Sequence, residues 1–231
     1  MNYSPILSFI TALFEISVAI WALLGVGRKK IIYDVAAILI LLAIYQIFEV
    51  IICSNPQSYI FLSRLAFMVI IWLPPICVLL IAHLYPTKKL IIHWYSRFLF
   101  FLSFLIIIWI FFKKEFVSET VCSVIFAYYS NPMPAYLIYA GLYQLGLFSI
   151  LFLSAHGVIV CKDHNQRLLL GQILLGSMAF IIPAMITVIA ISSANGALPS
   201  VMCHYALLFA LFLTRLIYLE RKENKESSPD S

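Results

Sequence analysis

Three ionisable residues interrupt otherwise apolar stretches of this sequence: Glu15, Glu49 and Arg64. Even lenient insertion scales charge about 2.5 to 3.5 kcal/mol for such a group at the centre of a membrane, so each must meet a partner or a function. Glu49 and Arg64 are expected at similar depth in two consecutive helices, where an ion pair across the short turn between them would satisfy both charges. Gln46, Glu49 and Cys53 recur at helical spacing and share one face with that pair. The pair is therefore either a clamp between neighbouring helices or one wall of a pocket for a polar ligand or ion.

Glu15 shares a helical stripe with Ser8, Thr11 and Ala19, and that stripe must face protein. Its carboxyl is either protonated and hydrogen-bonded to a neighbouring helix, or a proton or cation site. Tyr136, Tyr139, Tyr143 and Gln144 lie in one half of a later apolar segment. They form either an aromatic belt at the membrane interface or, with Glu49 and Arg64, the lining of an outward-opening cavity. Trp72-Leu73-Pro74-Pro75 must kink or unwind its helix, because each proline withholds a backbone N–H and crowds the preceding turn. Pro183, after Gly176 and Ser177, is expected to act in the same way. Carbonyls freed at such breaks bind an ion or are satisfied by a neighbouring helix or water.

Catalytic patterns do not emerge. His83 and His156 fall toward one side of the membrane and His204 toward the other, each expected as a lone packed histidine. Membrane zinc hydrolases of the ceramidase or adiponectin-receptor kind place several His and an Asp at one depth, and no HxxxH or HxxxD pair occurs here. No Ser-His-Asp order, P-loop or GxGxxG is found, so no enzyme or metal site is indicated and a cofactor is left unknown. The five cysteines Cys53, Cys77, Cys122, Cys161 and Cys203 stand singly, which points to packed thiols rather than a disulfide framework.

The elements that must position these residues are membrane-spanning helices. Of 231 residues 64% are hydrophobic and 11% charged, which excludes an ordinary soluble domain. Apolar runs of about twenty residues, the length that crosses a bilayer core, recur along the chain. Their bounds predict seven helices near 5–26, 31–53, 58–84, 95–112, 134–160, 168–192 and 199–219. Continuous apolarity at that length argues against barrel strands, which alternate over about ten residues. The fold class expected is an all-α integral membrane bundle over 1–219, with the fourth span more lipid-exposed than the rest. The first span has no basic residue before it and is followed by Arg28, Lys29 and Lys30, the reverse of a secretory leader, so it is expected to stay as an anchor.

Basic residues set the orientation. With the N-terminus outside, the inner side holds Arg28, Lys29, Lys30, Lys88, Lys89, Arg97, Lys162, Arg167, Arg215, Arg221, Lys222 and Lys225, against Lys113 and Lys114 outside. The same clustering explains the net charge of +5 without a nucleic-acid partner. The segment from Lys113 to Pro134 contains the apolar stretch Val121 to Tyr129, too short to span, and reads as an outer cap or re-entrant turn. From Glu220 to Ser231 the chain is polar and is expected to be a disordered cytoplasmic tail without an output domain.

Several of these segments resemble an uncharacterised family of small bacterial multi-helix membrane proteins, a domain of unknown function. Tyr3-Ser4-Pro5-Ile6-Leu7-Ser8-Phe9 resembles that family's Cys-Phe-Ser-x-x-x-Ser-Phe start, with Asn2 in place of its cysteine. Tyr45-Gln46-Ile47-Phe48-Glu49 resembles its His/Gln-Gln-x-x-Glu segment, and Pro199-Ser200-Val201-Met202-Cys203-His204-Tyr205-Ala206 its Ser-Val-Trp-Cys-Phe-Phe-Ala run. More distantly, Glu49, Arg64 and Leu73-Pro74-Pro75 are similar to the seven-helix N-terminal sensor region of some prokaryotic histidine kinases. The resemblance implies a bacterial inner membrane and a sensor-like or scaffold role, with membrane lipid around the chain and a small ligand or a cytoplasmic protein as partner. The expectation from another class is a transporter of a small ion or metabolite built on Glu15 and the Glu49 and Arg64 pair. A lipid-directed enzyme ranks last.

Overall fold

The structure, a computed structural model, describes residues 5–54, 59–85, 89–122, 127–190 and 197–226. Its helices are α1 (Ile6–Leu23), α2 (Lys29–Ser54), α3 (Tyr59–Ile70), α4 (Leu73–Leu84), α5 (Lys89–Phe112), α6 (Ala135–Val160), α7 (His164–Ala190) and α8 (Leu198–Glu226). Seven segments are long and apolar enough to cross a membrane, with α3 and α4 together making one of them. A helix satisfies its backbone groups internally, which is what lipid demands of chain with so few polar side chains. This is the form of a multi-pass membrane protein.

Helix α1 packs on α2 and α8, α2 on α3, α4 and α8, and α6 and α7 complete the circuit back to α8. The break-bearing span α3/α4 is the most enclosed of the seven, and α5 the least, with only 28% of its most apolar stretch buried. That fourth span is thus the most exposed of the seven, with Phe98, Phe101, Phe104 and Phe111 on its outer face. On α1 the buried face is made of Ser8, Thr11, Ala12, Glu15, Val18, Ala19 and Ala22, small enough to bring α2 close. The predicted stripe therefore faces protein.

Close approach is also what Gly146 provides. A Cβ there would lie 2.3 Å from Cβ of Pro74, so only glycine lets α6 reach the break. At the break itself α3 ends in a turn at Ile71 and Trp72, and α4 starts with its two prolines in the first turn, where a missing N–H is tolerated. The break is as predicted. Around Pro183, by contrast, α7 runs without interruption, and the hydroxyl of Thr187 donates to the Pro183 carbonyl at 2.8 Å.

Two regions depart from the sequence reading. Between α5 and α6, strands β1 (Glu119–Cys122) and β2 (Ala127–Ser130) pair antiparallel, with Thr120 opposite Tyr129 and Val121 opposite Tyr128. The expected cap is therefore a β-hairpin, alternately facing in and out, rather than an apolar strip lying along the headgroups. It is pinned to α2 by a Cys53–Cys122 disulfide, which corrects the expectation of unpaired thiols; 69 residues separate the two cysteines and no local spacing marks them. Free cysteines among the described residues are Cys77, Cys161 and Cys203, all buried.

The second departure is α8, which continues as helix past Glu220 to Glu226 instead of dissolving into a tail. Its extension docks on the turn after α1. The guanidinium of Arg28 forms a two-pronged contact with the Glu220 carboxylate at 2.7 and 2.6 Å, and the Arg28 backbone N–H adds a third bond at 3.1 Å. That hydrogen-bonded carboxylate pushes the Arg28 pKa above its ordinary value. Arg221 donates to the Trp21 and Ala22 carbonyls and lies 4.0 Å from the centre of the Trp21 ring. The segment Ser227 to Ser231 lies outside the described residues. The bundle so has two distinct ends, a cystine end with the hairpin and a basic end where Arg28, Lys162 and Arg221 gather.

Candidate functional site

Polar side chains of α1, α2 and α8 converge in the half of the bundle toward the cystine end. The Ser8 hydroxyl donates to Oε1 of Glu49 at 3.5 Å, which sets the antiparallel register of α1 against α2. One turn deeper, Gln46 is fully buried and its Nε2 donates to the Cys203 carbonyl at 2.6 Å. His204 Nδ1 donates to the Ser200 carbonyl at 2.7 Å. In the neutral ring that bond leaves Nε2 as a bare acceptor, and Nε2 faces Glu49 Oε1 at 4.0 Å. Glu15 lies deeper still on α1 and is completely buried.

Against this group, across α8, stands an aromatic shelf. Tyr136, Tyr139 and Tyr143 recur at helical spacing on α6 and stack along it with ring centres 6.4 and 6.2 Å apart. Phe67 inserts edge-on among Phe116, Tyr129 and Tyr139, and the Tyr139 hydroxyl donates to the Phe67 carbonyl at 3.2 Å. Two cavities of about 20 Å³ each meet at Tyr143. One, toward Gln144, Ile70 and Met202, nears the cystine end; the other lies deeper, beside Pro74, Cys77 and Phe180. Each has room for about one water.

Cys203 joins the two sides. Its thiol is within electrostatic reach of Glu49 and Glu15, and Tyr45, Tyr139 and Tyr143 are each within electrostatic reach of it. Within this chamber Thr11 Oγ1, both carboxylate oxygens of Glu15, Gln46 Oε1 and the Tyr143 hydroxyl have no hydrogen-bond partner among the described residues. Natural interiors satisfy nearly all such atoms, and an unmet one costs about 1 to 3 kcal/mol.

Arg64 does not belong to the chamber. The expected ion pair with Glu49 is not formed; the guanidinium instead donates to the Ile110 carbonyl at 3.2 and 2.5 Å and to the Phe111 carbonyl at 2.5 Å. The last carbonyls of a helix have no partner within it, and a guanidinium fork satisfies several at once. Arg64 thus caps α5, while Glu49 turns toward α1 and α8. Two carbonyls at the break are taken up by serines of α5. Ile71, whose carbonyl would have bonded the absent N–H of Pro75, accepts from Ser103 at 3.2 Å, and the Pro75 carbonyl accepts from Ser96 at 3.0 Å.

At the basic end sits a constellation that the sequence reading passed over. Nδ1 of His83, expected to be a lone histidine, is 2.5 Å from Asp34 Oδ2, and its ring centre is 5.2 Å from that of His93. Asp34 comes five residues after Lys29, where it reads as part of a charged boundary, although an acidic residue one turn inside an apolar span was a usable signal. His156 is likewise partnered, by the Tyr85 hydroxyl at 2.5 Å, and burial raises the pKa of that tyrosine. Among the described residues no three His, Cys, Asp or Glu side chains are placed to hold a metal ion.

Compared with known proteins, the chain matches no family model, no curated protein and no solved structure. Its class therefore rests on fold and site: a multi-pass helical membrane bundle with a buried polar chamber beneath a disulfide-pinned hairpin.

Proposed function

We propose that this chain is a ligand-responsive, sensor-like membrane protein whose ligand enters the chamber around Cys203. One observation carries the reading. Polar atoms of Thr11, Glu15, Gln46 and Tyr143, contributed by three helices, are buried without partners of their own. A bundle that served only as a scaffold gains nothing from them, whereas a small polar ligand supplies the missing bonds. The resemblance of Glu49, Arg64 and Leu73-Pro74-Pro75 to kinase-linked sensor regions supports the same role. The cystine supports an orientation with hairpin and N-terminus outside, since disulfides persist in oxidising compartments. The basic end then faces the cytoplasm of a bacterial inner membrane, in line with the distribution of Lys and Arg, and meets a protein partner that carries the output.

Native mass spectrometry of the gently extracted protein tests this, comparing wild type with Glu49→Gln and Tyr143→Phe. A defined small molecule bound to wild type and lost from both variants is the expected result. Bulk lipid alone in all three, with only stability altered, rules out the ligand site and leaves a scaffold. Transport of a small ion or metabolite is the second reading, favoured by the unpartnered Glu15 carboxyl in mid-span. It requires flux across proteoliposomes that Glu15→Gln abolishes.

A further inference from the structure

Several acceptors in the chamber are buried without a partner. Two oxygens of Glu15 and Oε1 of Gln46 lack a hydrogen-bond partner among the described residues, and each is an acceptor when Glu15 is ionised. Among the described residues no cationic side chain meets them, and the donors left unengaged include the neutral Thr11 and Tyr143 hydroxyls. The Ser8 hydroxyl is engaged by Glu49 and one Gln46 N–H by the Cys203 carbonyl. Arg64, the one basic residue in the α3 span, is taken up by the carbonyls of α5.

Geometry sharpens this. With Ser8 opposite Glu49, the antiparallel register sets Thr11 opposite Gln46, and Glu15 one turn deeper. Helical side chains lean toward the N-terminus of their own helix. Glu15 therefore leans back toward Thr11, and Gln46, on the antiparallel helix, leans toward the depth of Glu15. That register brings carboxylate, hydroxyl and amide oxygens to neighbouring depths on two packed helices, all on residues at most 1% exposed.

We infer that Glu15, Thr11 and Gln46 bind a monovalent inorganic cation of the sodium class, which deepens the ligand-binding reading of the chamber and rests on it. Hard oxygen ligands select alkali or alkaline-earth ions over thiophilic metals. The single carboxylate in this set suits one positive charge, whereas calcium sites gather several carboxylates.

The test uses the full chain in lipid nanodiscs, with sodium chloride replaced stepwise by choline chloride at constant ionic strength. Thermal midpoints and equilibrium binding of radioactive sodium are read for wild type, Glu15→Gln and Thr11→Val. Sodium raises the wild-type midpoint and binds saturably. Glu15→Gln is expected to bind none and to melt at one temperature in both salts. Thr11→Val, nearly the same shape without the hydroxyl oxygen, should need about tenfold more sodium for half-saturation, the factor that corresponds to one lost contact. No saturable sodium binding by wild type overturns the inference, as does equal binding by Glu15→Gln. If Glu15→Gln does not fold, an unchanged half-saturation in Thr11→Val overturns it instead. Loss of the cation response alone, with a small organic molecule still found by mass spectrometry, defeats this site and spares the ligand-responsive reading. Sodium binding without any organic molecule does the reverse for an organic ligand.

Discussion

Charges buried in apolar helices announce themselves by type, but not by partner. Glu15 and Glu49 were legible as anomalies because carboxylates are costly in those surroundings. Where their side chains would find bonds was not, since the candidates included backbone carbonyls that every residue carries. Arg64 shows the difference. Opposite charge suggested Glu49, yet the orphan carbonyls of Ile110 and Phe111 are the groups it meets. Arg64→Leu should therefore expose the last turn of α5 and destabilise the protein by about 2 to 3 kcal/mol, the range for hydrogen bonds to a charged group. The reciprocal swap, Glu49→Arg with Arg64→Glu, is expected to be no more stable than either single variant, because no pair exists to be reversed. Thermal unfolding in detergent measures both. Asp34 carries a similar lesson at the other end of α2. His83→Ala should lower stability by about 1 to 3 kcal/mol by removing the nearest donor of a largely buried carboxylate, and His83→Gln, which can still donate, should recover part of that.

Helices were the easiest elements to read, for apolar length alone defines seven spans. Their ends were less legible. The fourth was expected from residue 95 and begins at Lys89, since Trp94 and His93 at a membrane surface belong equally well to helix or loop. The hairpin was harder because four-residue strands carry little periodicity, although β-branched and aromatic residues around Val121, Tyr128 and Tyr129 favour strands. Two short strands are marginal alone. Here the cystine, the Ser63–Thr120 hydroxyl bond at 2.9 Å and the bond from the Ala127 N–H to Ser200 at 3.1 Å hold them. Cys122→Ser should accelerate amide exchange in β1 and β2 while leaving α6 and α7 protected, as followed by mass spectrometry. Gly146→Leu places atoms where Pro74 already stands and should lower stability by about 1 to 3 kcal/mol, the usual penalty for overpacking.

The molecule as a whole is organised around α8, which forms one wall of the chamber at the cystine end and clasps the α1–α2 turn at the basic end. Both ends of the helix are thus engaged, the first by Gln46 and Ala127 and the second by Arg28 and Trp21. A shift of α8 caused by a ligand would be felt at the basic end without any bending of the other helices. Arg28→Ala should unfasten the extension, destabilise the bundle by about 2 kcal/mol through the Glu220 carboxylate left with fewer donors, and increase mobility of a spin label placed at Lys222. None of this long-range pairing was visible in the sequence, where Arg28 and Glu220 are separated by 192 positions.

Joining Cys53 to Cys122 also turns α3, α4 and α5 into parts of a closed covalent ring. A protease that nicks any single peptide bond between those cysteines produces no free fragment. The two pieces migrate as one species on a gel until a reductant is added, and the ring can be opened in the membrane without the chain coming apart.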